Sequence, residues 1–416
     1  MKKKFSIVTI FFTVFLDLLG LGIIIPILPA LFYDPFGGIL PISYSYSTRT
    51  LLIGLLIAAY PIAQFFGAPI LGTLADRLGR KKVLLISLIG TFIGYTIVVI
   101  AVIQSNVTLL FIGRMIDGFT GGNISIAQSA IADVSDEKTK SRNFGLIGMA
   151  FGLGFIIGPY IGGKLSDPTV VSWFTFATPF YLSIFLCGIN IALVVLNFPE
   201  TFGAQLRRNV KISALTGFKN IGRAIKLPNL RTMFIVSFLL TMGFNFFTQF
   251  FQVFLFTKYH YTQSMVGDFF AYMGLWIAIS QGILLRPVVK RVEADVILKV
   301  AVLLLGISIP MLIIPNQKIY LYLIVPFIAV FQGFVQPSTL GIISNLTGVR
   351  TQGEVLGINQ SVNSLAMAIP PIISGFVTSV NVNLPTIFAG GATLLAWLVF
   401  ITYYKKEVRS EDIVSK

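Results

Sequence analysis

Apolar residues run along this chain in unbroken blocks separated by short charged stretches. They do not recur at the spacing of a half-buried helix or strand. Runs of about 20 residues, long enough to cross a bilayer, fall near 5–33, 50–75, 83–104, 107–133, 144–165 and 174–198. Six more follow near 232–257, 266–289, 296–315, 318–346, 353–378 and 384–404. The pattern predicts twelve membrane helices, many carrying the Gly and Pro that such helices tolerate because neighbours re-satisfy the backbone. Composition agrees: 55% of residues are hydrophobic and 11% charged, against roughly 25% charged in soluble domains. The apolar run after Met1-Lys2-Lys3-Lys4 passes Asp17 and reaches Leu31 without a small-residue cleavage site, which reads as a retained first span.

Charge fixes an orientation. Of 31 lysines and arginines, 26 lie at the N-terminus, in alternate loops and in the C-terminal tail. The opposite loops hold Arg49, Lys164, Lys258 and Lys318, and Arg114 lies within a span. The positive-inside rule then places both termini in the cytoplasm. The net charge of +15 is parcelled into these loops rather than gathered on one face or arm, which argues against a nucleic-acid partner. The longest polar stretch divides the chain into a six-helix bundle over 1–200, a cytoplasmic linker over 201–230 and a second bundle over 231–416. Its Arg207, Arg208, Lys211, Lys219, Arg223 and Lys226 suit orientation and attraction to anionic membrane lipid. The halves echo each other: Phe144-Gly145 and Pro159 with Gly163 recur 212 residues later as Leu356-Gly357 and Pro371 with Gly375. Common spacing argues for a duplicated unit.

Four segments carry candidate chemistry. The turn Gly72-Thr-Leu-Ala-Asp76-Arg77-Leu-Gly79-Arg80-Lys81-Lys82 is wedged between two apolar runs. Asp76 closes a helix at the negative end of its dipole, so it needs a cation or another helix N-terminus. In the fifth span, Gly154-Phe-Ile-Ile-Gly158-Pro159-Tyr-Ile-Gly162-Gly163 sets glycines four residues apart, which lets helix backbones approach closely, and Pro159 bends the helix. In the fourth, Arg114 and Asp117 are three residues apart on one helical face. A charge at that depth costs at least ~2.5 kcal/mol and requires a partner or a watery cavity. The pair is open to two readings, a self-neutralising brace or a working site. Asp17, in Phe15-Leu16-Asp17-Leu-Leu-Gly20-Leu-Gly22 before Pro26 and Pro29, has no basic residue within a helical turn. An uncompensated acid in apolar surroundings is poised to take up and release a proton. Pairing with Arg114, recognising a cationic substrate or a structural hydrogen bond are the alternatives.

The charged turn resembles the cytoplasmic loop between helices 2 and 3 of the major facilitator superfamily. The fifth-span motif matches the GxxxGPxxGG signature of its antiporters at every defined position, and the first span resembles that of tetracycline/proton antiporters and related drug exporters. The resemblance covers nearly the whole chain. It implies the all-α major facilitator fold, with two pseudo-symmetric six-helix bundles rocking about a central site. The segment around Arg114 resembles the family's membrane-embedded arginine motif, and Asp17, Arg114 and Asp117 together are the candidate proton-coupling residues. The resemblance further implies a gating latch of Gly72, Asp76, Arg77, Gly79, Arg80 and Asp133. In that latch Asp133 pairs with Arg80, and Asp76 caps a helix of the other half. The embedded arginine motif departs from the family at Asp117, where a glutamine or small residue is usual.

A cavity wall is predicted from Asn245, Gln249 and Gln252, which share one face of the seventh span among phenylalanines, and from Asn359, Gln360 and Asn363 in the eleventh. Interhelical hydrogen bonding is the competing role. Asp268 is expected at the outer end of its span and His260 in an outer loop, and neither is assigned a role. No hydrolase elbow, phosphate loop, nucleotide fingerprint or metal cluster occurs, and Cys187 stands alone. The sequence therefore points to no enzyme, cofactor or metal, and to energy from an ion gradient. The expectation is a monomeric inner-membrane transporter exchanging protons for a small lipophilic molecule. Metabolite uptake or facilitated diffusion, or a non-transporting receptor or scaffold, are the alternatives.

Overall fold

Helices account for most of the residues that the computed structural model describes, 2–34, 37–134, 137–201, 215–346 and 352–404, and no strand occurs among them. Lys2–Ile23 (α1) and Ile27–Tyr33 (α2) form the first span, interrupted at Pro26. Tyr46–Leu78 (α3), Arg80–Ile103 (α4), Val107–Thr120 (α5), Asn123–Val134 (α6), Glu137–Ser166 (α7) and Thr178–Asn197 (α8) complete the first bundle. Thr216–Lys226 (α9) is a short linker helix. Pro228–Tyr259 (α10), Gln263–Ile279 (α11), Leu285–Val289 (α12), Ala294–Ser308 (α13), Ile319–Asn345 (α14), Gln352–Val380 (α15) and Leu384–Tyr403 (α16) make the second. A π-turn over Ser280–Leu284 joins α11 to α12 as one span. Ten helical stretches among the described residues are long and apolar enough to cross a membrane. The other two expected spans are α5 with α6, and α7. The side chains of Lys138, Lys140, Arg142 and Phe144, and residues 202–214 of the linker, lie outside the described set.

Local chemistry sets the helix ends. Ser45, Asn106 and Thr262 each accept a backbone N–H from three residues on, capping α3, α5 and α11. All three caps lie at the bundle end away from the chain termini. There the loop after α2 is held by Arg49, a buried cation that donates to the carbonyls of Tyr44 at 3.0 Å, Pro41 at 2.6 Å and Phe32.

One apolar cluster is drawn from residues after 223, with Ile25 as its one earlier buried member, and two from residues before 199. Phe250 and Val253 of α10 are the exceptions and join one of these two. The bundles thus interlock at the end away from the termini, where Tyr33 also stacks on Phe256 at 5.9 Å. Two glycine contacts close the interface. A Cβ on Gly54 of α3 would strike the Pro371 carbonyl of α15 and lie 2.9 Å from Gly375. A Cβ on Gly163 of α7 would strike the Gln263 carbonyl of α11 and lie 3.1 Å from Gly267. Gly163 and Gly375 are the repeat-related pair of the sequence, so the duplication reappears as two matching crossings.

Candidate functional site

Arg114, Asp117 and Asp17 come together in the middle of the first bundle. Arg114 Nη1 donates to Asp117 Oδ2 at 2.8 Å, with both side chains nearly inaccessible. The guanidinium also lies 4.9 Å from the centre of the Tyr60 ring, a cation–π contact. Arg114 Nε has no hydrogen-bond acceptor among the described residues, and Asp17 Oδ2 has no donor. The Asn123 amide faces the Asp17 carboxyl, but no hydrogen bond closes between them, and Asn123 is 0% exposed. A small cavity lies beside Asp17, lined by Leu19, Thr91, Tyr95, Ser183, Cys187 and Asn190. Two acids, one base and two phenols in an apolar bundle, with donors and acceptors left open, can hold and pass a proton.

The fourth span is broken just past this centre. α5 ends at Thr120, Gly121 and Gly122 form a turn, and α6 restarts at Asn123. Gln64 donates to the Gly121 carbonyl at 3.0 Å, and Ser87 to the Thr120 carbonyl. Buried side chains thereby satisfy the acceptors that the break frees. A Cβ on Gly122 would lie 2.6 Å from the Ala68 backbone, so glycine is needed for α3 to pass this close. The apolar block 107–133 predicts one helix, and the structure divides it. The Gly121-Gly122-Asn123 triplet is the sequence signal of the break, while Tyr60, Gln64 and Asn123 are companions that block length does not reveal.

At the end carrying the termini, Arg80 gathers the charged turn. Its Nη1 donates to Asp76 at 2.5 Å, its Nε to Asp133 at 3.2 Å, and its backbone N–H to Glu200 at 2.8 Å. Asp76 has a side chain 43% exposed and is bonded within its own bundle. Gly79 caps α3 at φ 101°, a conformation that favours glycine. Gly72 and Arg77 lie in the last turns of α3.

The glycines of α7 form a seat. Cβ atoms on Gly154 and Gly158 would lie 2.7 Å from Leu18 and from the Leu19 carbonyl of α1, and one on Gly162 would strike the Ile23 carbonyl. Pro159 lies inside the helix between these contacts, and its carbonyl faces Gly267 of α11. Beyond the seat, Lys164 donates to Asp268 at 2.8 Å and to Ser264 at 2.7 Å, joining the two bundles. Asp167 accepts the Ser264 backbone N–H at 3.4 Å. Burial pushes the Asp167 carboxyl up, but hydrogen bonds from Thr169, Thr262 and Ser264 outweigh it and hold the group below its ordinary range.

The polar residues of the second bundle bond mostly to one another. Asn363 accepts from Ser237 at 2.9 Å and Thr241 at 3.1 Å. Asn245 donates to the Thr241 carbonyl, Gln249 to Asn245, and Gln252 to the Gln249 carbonyl. Asn359 is buried and Gln360 exposed.

The profile of the Major Facilitator Superfamily matches residues 10–369 and, again, 291–415. The class E tetracycline resistance protein of Escherichia coli is 31% identical, over 88% of this chain and 86% of its own. The quinolone resistance protein NorA of Staphylococcus aureus is 27% identical, over 98% and 99%. Multidrug resistance protein 1 of Bacillus subtilis is 28% identical, over 95% and 97%. Among solved structures, the D-xylose–proton symporter aligns with a TM-score of 0.77 at 14% identity, over 97% of this chain and 98% of that one. The human organic anion transporter MFSD10 aligns at 0.73 and 22%, over 96% and 100%.

Proposed function

The chain belongs to the major facilitator superfamily, and from that premise we propose that it is a proton-coupled exporter of small lipophilic drugs. It is a multi-pass membrane protein and a transporter rather than an enzyme. The observation that carries the coupling is the centre of Asp17, Arg114 and Asp117, buried and incompletely hydrogen-bonded in the first bundle. A proton arriving at Asp17 neutralises it, which lowers the cost of closing the bundle around it. Its release on the other side restores the charge and reopens the site. Arg114 holds Asp117 and keeps the neighbouring charge fixed while Asp17 titrates. Similarity to tetracycline, quinolone and multidrug resistance proteins supports the substrate class.

The termini and the 201–230 linker face the cytoplasm, by the distribution of lysine and arginine. The 1–200 and 231–416 bundles rock as units, with membrane lipid around them, and a single chain suffices for transport. On this orientation the Lys164–Asp268 bond closes the outer face, and the Asp76–Arg80–Asp133 cluster sits at the cytoplasmic face. Asp76 exchanges its Arg80 contact for a helix end of the second bundle when that face closes. The test is transport by purified protein in liposomes carrying an imposed pH gradient. A tetracycline or a quinolone should accumulate against its own gradient, and a protonophore should abolish the accumulation. Equilibration of drug that is indifferent to the protonophore would contradict the proposal.

A further inference from the structure

The linker helix α9 does not lie flat on the bundle end. Phe218 packs its ring on Phe65 of α3 at 5.0 Å and on Phe66 at 6.0 Å. Two residues on, the Asn220 amide donates to the Ser361 hydroxyl of α15 at 3.0 Å. At 1.5 Å per residue, Phe65 lies about 20 Å in from Leu78 at the end of α3, and Ser361 about 14 Å in from Gln352 at the start of α15. The N-terminal turn of α9 is therefore inserted between the two bundles, bonded to one helix of each. The helix leads directly through Leu227 into α10, so its C-terminal turn stays near the bundle end.

Its faces fit insertion. Gly217, Asn220, Ile221 and Ala224, at i, i+3, i+4 and i+7, make a narrow stripe turned inward, with Gly217 and Ala224 buried. A Cβ on Gly217 would lie 2.6 Å from the Phe65 ring, so glycine lets the helix press on that ring. Lys219, Arg223 and Lys226 are exposed. They keep one side of α9 suited to water, and Phe218 itself stays 51% exposed on its seat, so the ring is only partly committed to Phe65 and Phe66.

We propose that the Phe65–Phe66 seat, with the Ser361 hydroxyl opposite, is a binding subsite for a flat aromatic, lipophilic ligand, and that Phe218 of α9 occupies it as an internal competitor. Ligand and linker helix then exclude each other, so a resting transporter keeps this aromatic surface covered and an arriving substrate displaces α9. The inference rests on the reading of the chain as an exporter of lipophilic compounds, which supplies the ligand class. Offset or edge-on ring contacts contribute enough to change affinity about two- to tenfold.

The test uses the full-length protein and rhodamine 6G as the aromatic cation. Spin labels at Arg223→Cys and Tyr403→Cys report the position of α9 against the second bundle; the native Cys187 is buried. Adding the dye should lengthen and broaden the label distance. Equilibrium dye binding, read by fluorescence anisotropy in detergent, should tighten two- to tenfold in Phe218→Ala and weaken by a similar factor in Phe65→Ala. Phe185→Ala, at an exposed ring on α8, should change neither. Asn220→Ala frees α9 from Ser361 without touching the rings, and should ease its displacement even if Phe65→Ala proves unstable. No dye binding, an unchanged distance at saturating dye, or Phe218→Ala matching Phe185→Ala would overturn the proposal. None of these readouts needs a pH gradient, so loss of proton coupling and loss of the subsite are separately visible.

Discussion

Arg114 and Asp117 neutralise each other at 2.8 Å where water does not reach. Removing one partner of such a pair strands the other charge at a cost of about 3–5 kcal/mol, whereas replacing both is often neutral. Asp117→Asn should therefore lower thermal stability sharply, and the double variant Arg114→Gln/Asp117→Asn should recover much of it. A purely structural pair would recover transport as well. A working pair recovers stability alone, as melting temperature and drug accumulation measured on the same protein will separate. These acids and this base were legible in the sequence because an ionisable residue in an apolar run has few explanations. Tyr60, Gln64 and Asn123 were not, since a polar side chain in a membrane helix looks the same whether it braces a neighbour or faces a site. Asp76 shows another limit: its need for a cation was readable, but the sequence could not say that Arg80, a helical turn away, supplies it here.

The helical elements follow from apolar block length, and caps and prolines fix many of their ends. The break in α5–α6 was missed because window-averaged hydropathy does not sense two glycines whose freed carbonyls are met by α3 and α4. The depth of α9 was missed because its basic residues point to a surface helix, while its small inward stripe is visible only against α3 and α15. The α7 motif yields a sharper expectation. Gly158→Val puts branched carbon against the Leu19 carbonyl of α1, where the space for even a Cβ is 2.7 Å. It should cost the 1–3 kcal/mol typical of overpacking and slow transport, whereas Gly152→Ala, in open space on the same helix, should leave both unchanged. Across α7 and α11, Lys164 and Asp268 are partly exposed, so their bond is worth about 0.2–1 kcal/mol. Asp268→Asn should shift the population up to about fivefold toward opening at that end, and the swap Lys164→Asp/Asp268→Lys should restore it. Inter-bundle spin-label distances check both.

At the scale of the whole molecule, the bundles meet through two crossings related by the internal repeat, Gly54 on α15 and Gly163 on α11. Matching crossings give the halves a common axis to rock about, and the closed end carries the Lys164–Asp268 bond. Orientation is checked by labelling intact cells with an impermeant thiol reagent. Trp173→Cys, exposed at the end away from the termini, should react, and Tyr403→Cys should not. The coupling role of Asp17 is measured directly by drug transport of the Asp17→Asn protein in proteoliposomes. This variant keeps shape and hydrogen-bonding capacity and removes titration. Accumulation driven by a pH gradient should be lost while drug-for-drug exchange across the same membrane persists. Undiminished accumulation by folded Asp17→Asn protein would contradict this and move the coupling role to Asp117.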